Sequence, residues 1–212
     1  MAMRNTIWLS FVVMLFLQSC FLFRRTTAYD KQNNMAVQGI DISHHQGTID
    51  WNELKKEKLA FIFMKATEST AFTDPAFKKN LVEAKATGHA VGAYHFFNFC
   101  KTGSEQALHF IATVPKGETI LPILDLEFDA DYECHKTENE VAREVNAFIE
   151  KIKANYGRTP VLYMPVAFYK RYAIGNFKNC ELWIRSTEDK PSLPDNRKWH
   201  FWQYADKGNK RH

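Results

Sequence analysis

Apolar and polar stretches alternate along the chain in a way that predicts strands and helices in turn. Seven short apolar runs have the length and composition of strands, at 37–42, 60–66, 90–97, 121–127, 160–164, 181–185 and 200–204. Helical stretches fill the intervals, at about 51–58, 75–87, 104–113, 138–156 and 165–173. A strand that is repeatedly followed by a helix is typical of a parallel sheet, so we expect an α/β domain.

Polar residues at the carboxyl ends of the predicted strands favour a closed barrel over an open sheet. These residues are Asp41, Lys65, His95, Asp125, Glu127, Arg185, Gln203 and Tyr204. In a (β/α) barrel such strand ends converge on one face, where catalysis takes place. No Gly-x-Gly-x-x-Gly or Walker loop follows the first strand, as a nucleotide-binding open sheet would require. We therefore predict a small, irregular (β/α) TIM-like barrel.

Two acids interrupt the apolar run at 121–128. In a strand, Asp125 and Glu127 project to one face, while the residues between and beside them project to the other. Neighbouring carboxylates raise each other's cost of ionisation, which leaves one as an acid and the other as an anion. Glycosidic bond cleavage requires that division, although a metal site or a solvated, ion-paired strand end would also explain the pair.

The bulk properties narrow the class of protein. The chain has 212 residues, of which 45% are apolar and 14% aromatic, so it can bury a full core. Its formal net charge is +4, and the basic residues are scattered singly or in pairs. The sequence has no stripe of basic residues of the kind that binds along a phosphate backbone, so we expect no nucleic-acid partner.

The N-terminus has the pattern of a targeting segment over residues 1–23, with an apolar run at 7–17. A motif that ends at Cys20 resembles a bacterial lipobox, which predicts lipidation of that cysteine and a membrane tether. An uncleaved anchor and ordinary cleavage near Ala28 are the alternatives. All three predict that the domain is exported, either to the cell envelope or as a secreted protein. A polar linker at 24–36 precedes the domain.

The remaining cysteines are Cys100, Cys134 and Cys180, whose spacing matches no zinc site. Cys100 follows one predicted strand and Cys134 follows the next. We predict a disulfide between these two adjacent loops, with three free buried thiols as the alternative.

A metal-dependent hydrolase built on Asp41, His44 and the acid pair is a further alternative. Adjacent histidines such as His44 and His45 project in different directions, and no third ligand accompanies them at a recognisable spacing. We expect neither a metal nor a cofactor.

Taken in order, several motifs together resemble glycoside hydrolase family 25, the Chalaropsis-type lysozymes or N-acetylmuramidases. They are Asp41-Ile42 followed by Gln46-Gly47, Lys65-Ala66-Thr67-Glu68, Gly92-Ala93-Tyr94-His95-Phe96, Asp125-Leu126-Glu127, Leu162-Tyr163, Leu182-Trp183-Ile184 and Trp202-Gln203-Tyr204. The resemblance runs from about residue 37 to the end of the chain. It implies a (β/α) barrel that cleaves the β-1,4 bond between N-acetylmuramic acid and N-acetylglucosamine in peptidoglycan.

The resemblance also implies roles for individual residues. Glu127 would be the general acid, Asp125 would stabilise the developing positive charge or orient the acetamido group, and Asp41 would match the family's first active-site aspartate. The residues expected to line the sugar groove are Lys65, Tyr94, Tyr163, Trp202, Gln203 and Tyr204. The expected partner is the peptidoglycan glycan strand, bound by a monomer.

Two departures from the family pattern affect these expectations. Ser69 stands where the family has a glycine, at a position that favours an unusual backbone angle. The family's closing strand, with a further active-site aspartate, has no counterpart after Tyr204. We therefore expect a barrel that is incomplete at its C-terminal strand, with an open strand edge and reduced activity. A peptidoglycan-binding barrel without turnover is the rival interpretation.

Overall fold

The computed structural model describes residues 24–29, 36–117, 120–128 and 134–206. The predicted targeting segment with Cys20 lies outside these residues. Within the described ranges, no helix is both long and apolar enough to cross a membrane.

All seven predicted strands are present, in the predicted order. They are β2 (Ala36–Ile42), β3 (Phe61–Glu68), β5 (Ala90–Phe96), β6 (Ile120–Asp125), β7 (Val161–Pro165), β8 (Leu182–Arg185) and β9 (Phe201–Ala205). Two further strands are β1 (Arg24–Tyr29) and the short β4 (Phe72–Thr73). The seven strands pair in parallel in the order β2, β3, β5, β6, β7, β8, β9 and curl into an incomplete (β/α) barrel, which confirms the predicted fold class.

The helices cover the outer side of this barrel. They are α1 (Trp51–Leu54), α2 (Phe77–Ala86), α3 (Gly103–Thr113), α4 (Glu138–Tyr156) and α5 (Val166–Phe168), which continues as a π-helical turn over Tyr169–Ala173. A capping box of Thr137 and Glu140 starts α4, and Gly157 in the left-handed conformation ends it. α3 packs against α4 so closely that a Cβ at Gly103 would lie only 1.8 Å from the backbone oxygen of Glu144.

The antiparallel strand β1 joins the two ends of the parallel sheet. It pairs with β2 along its whole length and with β9 from Arg25 to Ala28. Part of the segment that we expected to be a linker is therefore a strand, and the edge of β9 that we expected to be open is paired. The sequence did not indicate this strand, because Arg-Arg-Thr-Thr-Ala-Tyr lacks the apolar alternation of a half-buried strand.

The alternation of side chains along the strands produces two separate apolar layers. The smaller layer fills the barrel interior and consists of Phe61, Phe63, Tyr94, Ile123, Val161, Tyr163 and Trp183, with Val37, Leu121 and Phe201 partly buried against it. The larger layer lies between strands and helices and includes Ile62, Met64, Leu124, Leu162, Ile184, Phe110, Phe148 and Phe168. Successive residues of a strand therefore face the barrel interior and the helices in turn.

Ser69 adopts the unusual backbone angle that its position predicts, with φ of 51° directly after β3. Its hydroxyl accepts a hydrogen bond of 3.2 Å from the Asn98 side-chain amide. A side chain in the left-handed region costs about 1 kcal/mol relative to glycine.

We expect Ser69→Ala to be less stable than Ser69→Gly by about 1 kcal/mol. Both variants lose the hydroxyl and its hydrogen bond, but only alanine keeps a Cβ at a positive φ. Urea unfolding of the two variants measures the difference directly. Equal unfolding midpoints, or a more stable alanine variant, would show that the backbone angle carries no strain.

A fully buried polar network lies on the helix side of β5, around His95. Its Nδ1 lies 2.7 Å from the Thr67 hydroxyl and its Nε2 lies 3.2 Å from Oε1 of Gln106. Because an amide oxygen only accepts, Nε2 carries the proton and Nδ1 accepts from Thr67. Gln106 in turn binds both backbone polar groups of Asn98, which fixes the turn after β5. Burial lowers the pKa of His95 to about 3.

This low pKa predicts a loss of stability in mild acid. Between the ordinary histidine pKa of 6.5 and a value of about 3, the unfolded chain binds a proton here that the folded protein does not. The free energy of unfolding should therefore fall by about 1.4 kcal/mol per pH unit in that range, or about 2 kcal/mol from pH 7 to 5. In urea unfolding, His95→Gln should lose stability less steeply than the parent over the same range. Identical pH slopes would contradict the assignment of a buried, neutral imidazole.

Candidate active site

A cavity of about 380 Å³ opens at the carboxyl ends of β2, β3, β5 and β6. Among the described residues its walls are formed by Asp41, Ile42, Ser43, His45, Gln46, Lys65, Glu68, Tyr94, Phe96, Asp125 and Glu127. Five of the predicted site residues, Asp41, Lys65, Tyr94, Asp125 and Glu127, thus meet at one place. This is the face of a (β/α) barrel where active sites lie.

β6 places the acid pair as its alternation predicts. Leu124 and Leu126 are fully buried in the outer layer, while Asp125 and Glu127 project into the cavity. The backbone N–H of Leu126 still donates to the carbonyl of Tyr163 at 2.8 Å, so the chain stays extended past the end of the strand. Asp125 is buried and Glu127 is half-buried, which leaves Glu127 as the more accessible acid.

A bulge in β3 brings Lys65 and Glu68 to the same cavity. The pairing with β5 shifts between Lys65 and Thr67, so Ala66 is an extra residue and the side-chain parity reverses after it. Thr67 then faces the helices, and Glu68 faces the cavity instead. Lys65 Nζ donates to Glu68 at 2.6 Å and lies 4.9 Å from the ring centre of Phe96. Strict alternation would have placed Glu68 on the wrong face, so the sequence did not identify it as a site residue.

Asp41 is held from behind by two residues that do not line the cavity. Gln203 Nε2 donates to Asp41 Oδ1 at 3.1 Å, and the Tyr163 hydroxyl donates to Gln203 Oε1 at 2.8 Å. Both Gln203 and Tyr163 are buried inside the barrel. The structure therefore places these two predicted groove residues beside the acids but beneath the cavity wall.

Trp202 and Tyr204 lie on the other face of β9, opposite Gln203. Trp202 Nε1 donates to the carbonyl of Ser186 at 2.7 Å, and its ring centre is 5.7 Å from that of Tyr204 and 6.2 Å from that of Trp199. The structure does not bring these two predicted groove residues to the cavity that holds Asp125 and Glu127. Their proposed contact with sugar stays a prediction.

His44 contacts a buried carboxylate that is not among the residues lining the cavity. Its Nδ1 lies 2.8 Å from Asp74, which also accepts the His44 backbone N–H at 3.0 Å. Among the described residues, no group of three histidine, cysteine, aspartate or glutamate side chains is arranged to hold a metal ion. His45, in contrast, lines the cavity, a position that its sequence pattern did not indicate.

Arg185 and Asp206 form an ion pair next to this site. Two guanidinium nitrogens of Arg185 donate to the two Asp206 oxygens, at 3.1 and 2.7 Å. The hydrogen bond to Asp206 is the main cause of the raised pKa of Arg185, and the charge of Glu127 contributes. Arg185 is therefore a fixed positive charge within electrostatic range of Glu127.

Cys100 and Cys134 are neighbours, and both are free thiols in the structure. The pKa of Cys134 is raised to about 11, first by burial and then by its hydrogen bond with Cys100. Lys136 also contacts the loop of Cys100, through the carbonyl of Lys101 at 3.3 Å. The two loops are adjacent as expected, and the disulfide between them stays a prediction.

The barrel and its paired carboxylates define the class as that of the glycosidases, which use two acids beside one cavity. The chain matches the sequence profile described as "Glycosyl hydrolases family 25" over residues 40–212. It therefore belongs to glycoside hydrolase family 25, as its motifs predicted.

Individual relatives agree with this assignment. Lysozyme M1 of Streptomyces globisporus is 30% identical over 184 residues, which cover 81% of this chain and 63% of that protein. The uncharacterized protein YegX of Escherichia coli (strain K12) is 30% identical over 178 residues, with 81% and 64% covered. The chain thus spans slightly less than two thirds of the length of these curated relatives. A solved family 25 glycosyl hydrolase from Bacillus anthracis is 41% identical and superposes with a TM-score of 0.77, covering 84% of this chain and 82% of that one.

Proposed function

We propose that this chain is a muramidase that hydrolyses the β-1,4 bond between N-acetylmuramic acid and N-acetylglucosamine in peptidoglycan. The observation that carries the proposal is the convergence of Asp125, Glu127 and Asp41 on one cavity of a family 25 barrel. Lysozyme M1 supports the activity by its name and its similarity to this chain.

The different exposures of the two acids support different roles. Glu127 is half-buried and lines the cavity, so its proton is accessible to the oxygen of a bound glycosidic bond and it serves as the general acid. Asp125 lines the same cavity and is only 5% exposed, and its negative charge stabilises the positive charge that develops on the sugar ring. Several carboxylates around one cavity raise the cost of ionising all of them, which favours a protonated member in the resting site.

Further residues of the cavity are suited to bind the sugars. Tyr94 and Phe96 present aromatic surface beside the acids, and Lys65 and Glu68 offer charged hydrogen-bonding groups. These four groups project from adjacent strands, so they form a continuous wall along the cavity. We propose that this wall binds the glycan next to the cleaved bond.

We further propose that the protein acts outside the cytoplasm, in the cell envelope or secreted, with a lipid on Cys20 as its membrane tether. The support is the apolar targeting segment and the lipobox-like motif in the sequence. Peptidoglycan, the proposed substrate, lies in the same compartment.

A peptidoglycan-binding barrel without turnover is the second candidate, because the aromatic and charged wall of the cavity suits sugar binding whether or not a bond is cleaved. The two functions are separated by incubating residues 24–212 with a purified cell-wall suspension. Loss of turbidity with release of soluble glycan supports the muramidase. Sedimentation of the protein with walls that stay turbid would support the binding barrel and overturn the proposed hydrolysis.

A further inference from the structure

We infer that Gln203 and Tyr163 are positioning residues, which hold the Asp41 carboxylate in one orientation, rather than groups that contact sugar. The inference rests on the proposed function, because Asp41 belongs to the proposed active site. It changes the role that the family resemblance implied for both residues.

Burial argues against direct contact of these residues with a polymeric substrate. Gln203 has no exposed surface, Tyr163 is 1% exposed and Asp41 is 2% exposed. Asp41 still lines the cavity, whereas Gln203 and Tyr163 lie behind it. A glycan strand that enters the cavity therefore meets Asp41 before it could reach the other two.

The hydrogen bonds can run in only one direction when Asp41 is ionised. A carboxylate only accepts, so the amide nitrogen of Gln203 must face Asp41 Oδ1, at 3.1 Å. The amide oxygen of Gln203 then faces Tyr163, whose hydroxyl must donate to it, at 2.8 Å. Each group thus fixes the orientation of the next, and the whole chain favours the charged form of Asp41.

The fold makes this chain of hydrogen bonds rigid. Tyr163 packs edge-on against Trp183, with ring centres 4.5 Å apart, so its hydroxyl is held in place by the barrel interior. Asp41 and Gln203 stand on β2 and β9, the first and last strands of the parallel sheet, and are 162 positions apart in sequence. The link therefore joins the two ends of the incomplete barrel at the level of the active site.

A carboxylate held in one rotamer acts on a bound substrate without a reorganisation step. Removal of the link takes this donor away from Asp41, and the ionisable groups that line the cavity then have more influence on the orientation of the carboxylate. In the cavity those groups are His45, Lys65, Glu68, Asp125 and Glu127. The loss should therefore appear in kcat and in the pH profile, with little change in KM.

The test compares Gln203→Met, Tyr163→Phe and the double variant with the parent on soluble peptidoglycan oligosaccharides. Gln203→Met should lower kcat about 10- to 100-fold, with KM within about twofold of the parent. Tyr163→Phe keeps the ring against Trp183, and a smaller loss is expected. The double variant should be no slower than Gln203→Met, since both changes break the same chain of hydrogen bonds.

Gln203→Glu should move the acidic limb of the pH profile to higher pH, because it places a second carboxylate against Asp41.

A matched control is Gln106→Met, which removes an equally buried amide on the helix side of the barrel. It should lower stability and leave kcat unchanged. A raised KM at unchanged kcat in Tyr163→Phe would show sugar contact and overturn the inference. Full activity in both single variants would also overturn it.

If the parent itself does not cleave, the proposed function fails, and a crystal structure of Tyr163→Phe decides the inference separately. A second orientation of Asp41 would support it, and an unchanged carboxylate would overturn it.

Discussion

Replacing Glu127 by glutamine is expected to lower the rate of peptidoglycan hydrolysis by about 1,000-fold or more. The amide has the size of the carboxyl group but cannot donate a proton to the leaving oxygen, and general acid catalysis contributes about 10²- to 10⁴-fold. The reducing ends released from purified peptidoglycan measure this rate. Binding to walls should persist, because the cavity keeps its shape.

Glu57→Gln is the matched control for this prediction. It makes the same chemical change at an exposed position after α1, outside the residues that line the cavity. We expect its rate to equal that of the parent. Activity in Glu127→Gln above about a tenth of the parent rate would contradict the assignment of Glu127 as the general acid.

Removal of β1 is expected to be the most destabilising change outside the core. The strand pairs on both sides, with β2 and with β9, so its loss leaves two strand edges without partners. At about 1 kcal/mol for each ladder hydrogen bond, the loss should amount to about 4 kcal/mol or more. Urea unfolding of residues 24–212 and of residues 36–212 measures the difference.

A point variant tests the same strand within the longer protein. Thr27 lies opposite Gln38 on one side and Trp202 on the other. Thr27→Pro removes a backbone donor in the middle of the sheet and should lower the unfolding midpoint strongly, whereas Thr27→Val keeps the donor and should not. Equal stability of all these proteins would show that the pairing of β1 with β2 and β9 does not stabilise the barrel.

The sequence predicted the elements well because each strand and helix carries its own local signal. The seven parallel strands have compact apolar runs, and α4 shows its buried face as Val141, Val145, Phe148, Ile149 and Ile152 at helical spacing. The position of Asp125 and Glu127 followed from strand alternation alone. These features depend on neighbours in sequence, so the order of apolar and polar residues reveals them.

The features that were missed depend on contacts between distant segments. β1 has a polar sequence and is a strand only because β2 and β9 both offer an edge to it. Glu68 reaches the cavity because of a bulge that periodicity does not reveal. Alternation along β9 puts Gln203 and Trp202 on opposite faces of the sheet. The contact of Gln203 with Asp41 on β2 shows which of the two residues faces the site, whereas the family motif treats both as groove residues.

The sugar at the new reducing end identifies the bond that the protein cleaves. Purified peptidoglycan is digested with residues 24–212, the soluble fragments are reduced with borohydride, and the reduced sugar at their ends is identified after acid hydrolysis. Cleavage between N-acetylmuramic acid and N-acetylglucosamine by a muramidase predicts reduced muramic acid as the new terminal sugar. Reduced glucosamine in its place would contradict cleavage of this bond. The absence of any new reducing end, with the parent and the Glu127→Gln variant binding walls equally tightly, would contradict hydrolysis by this protein.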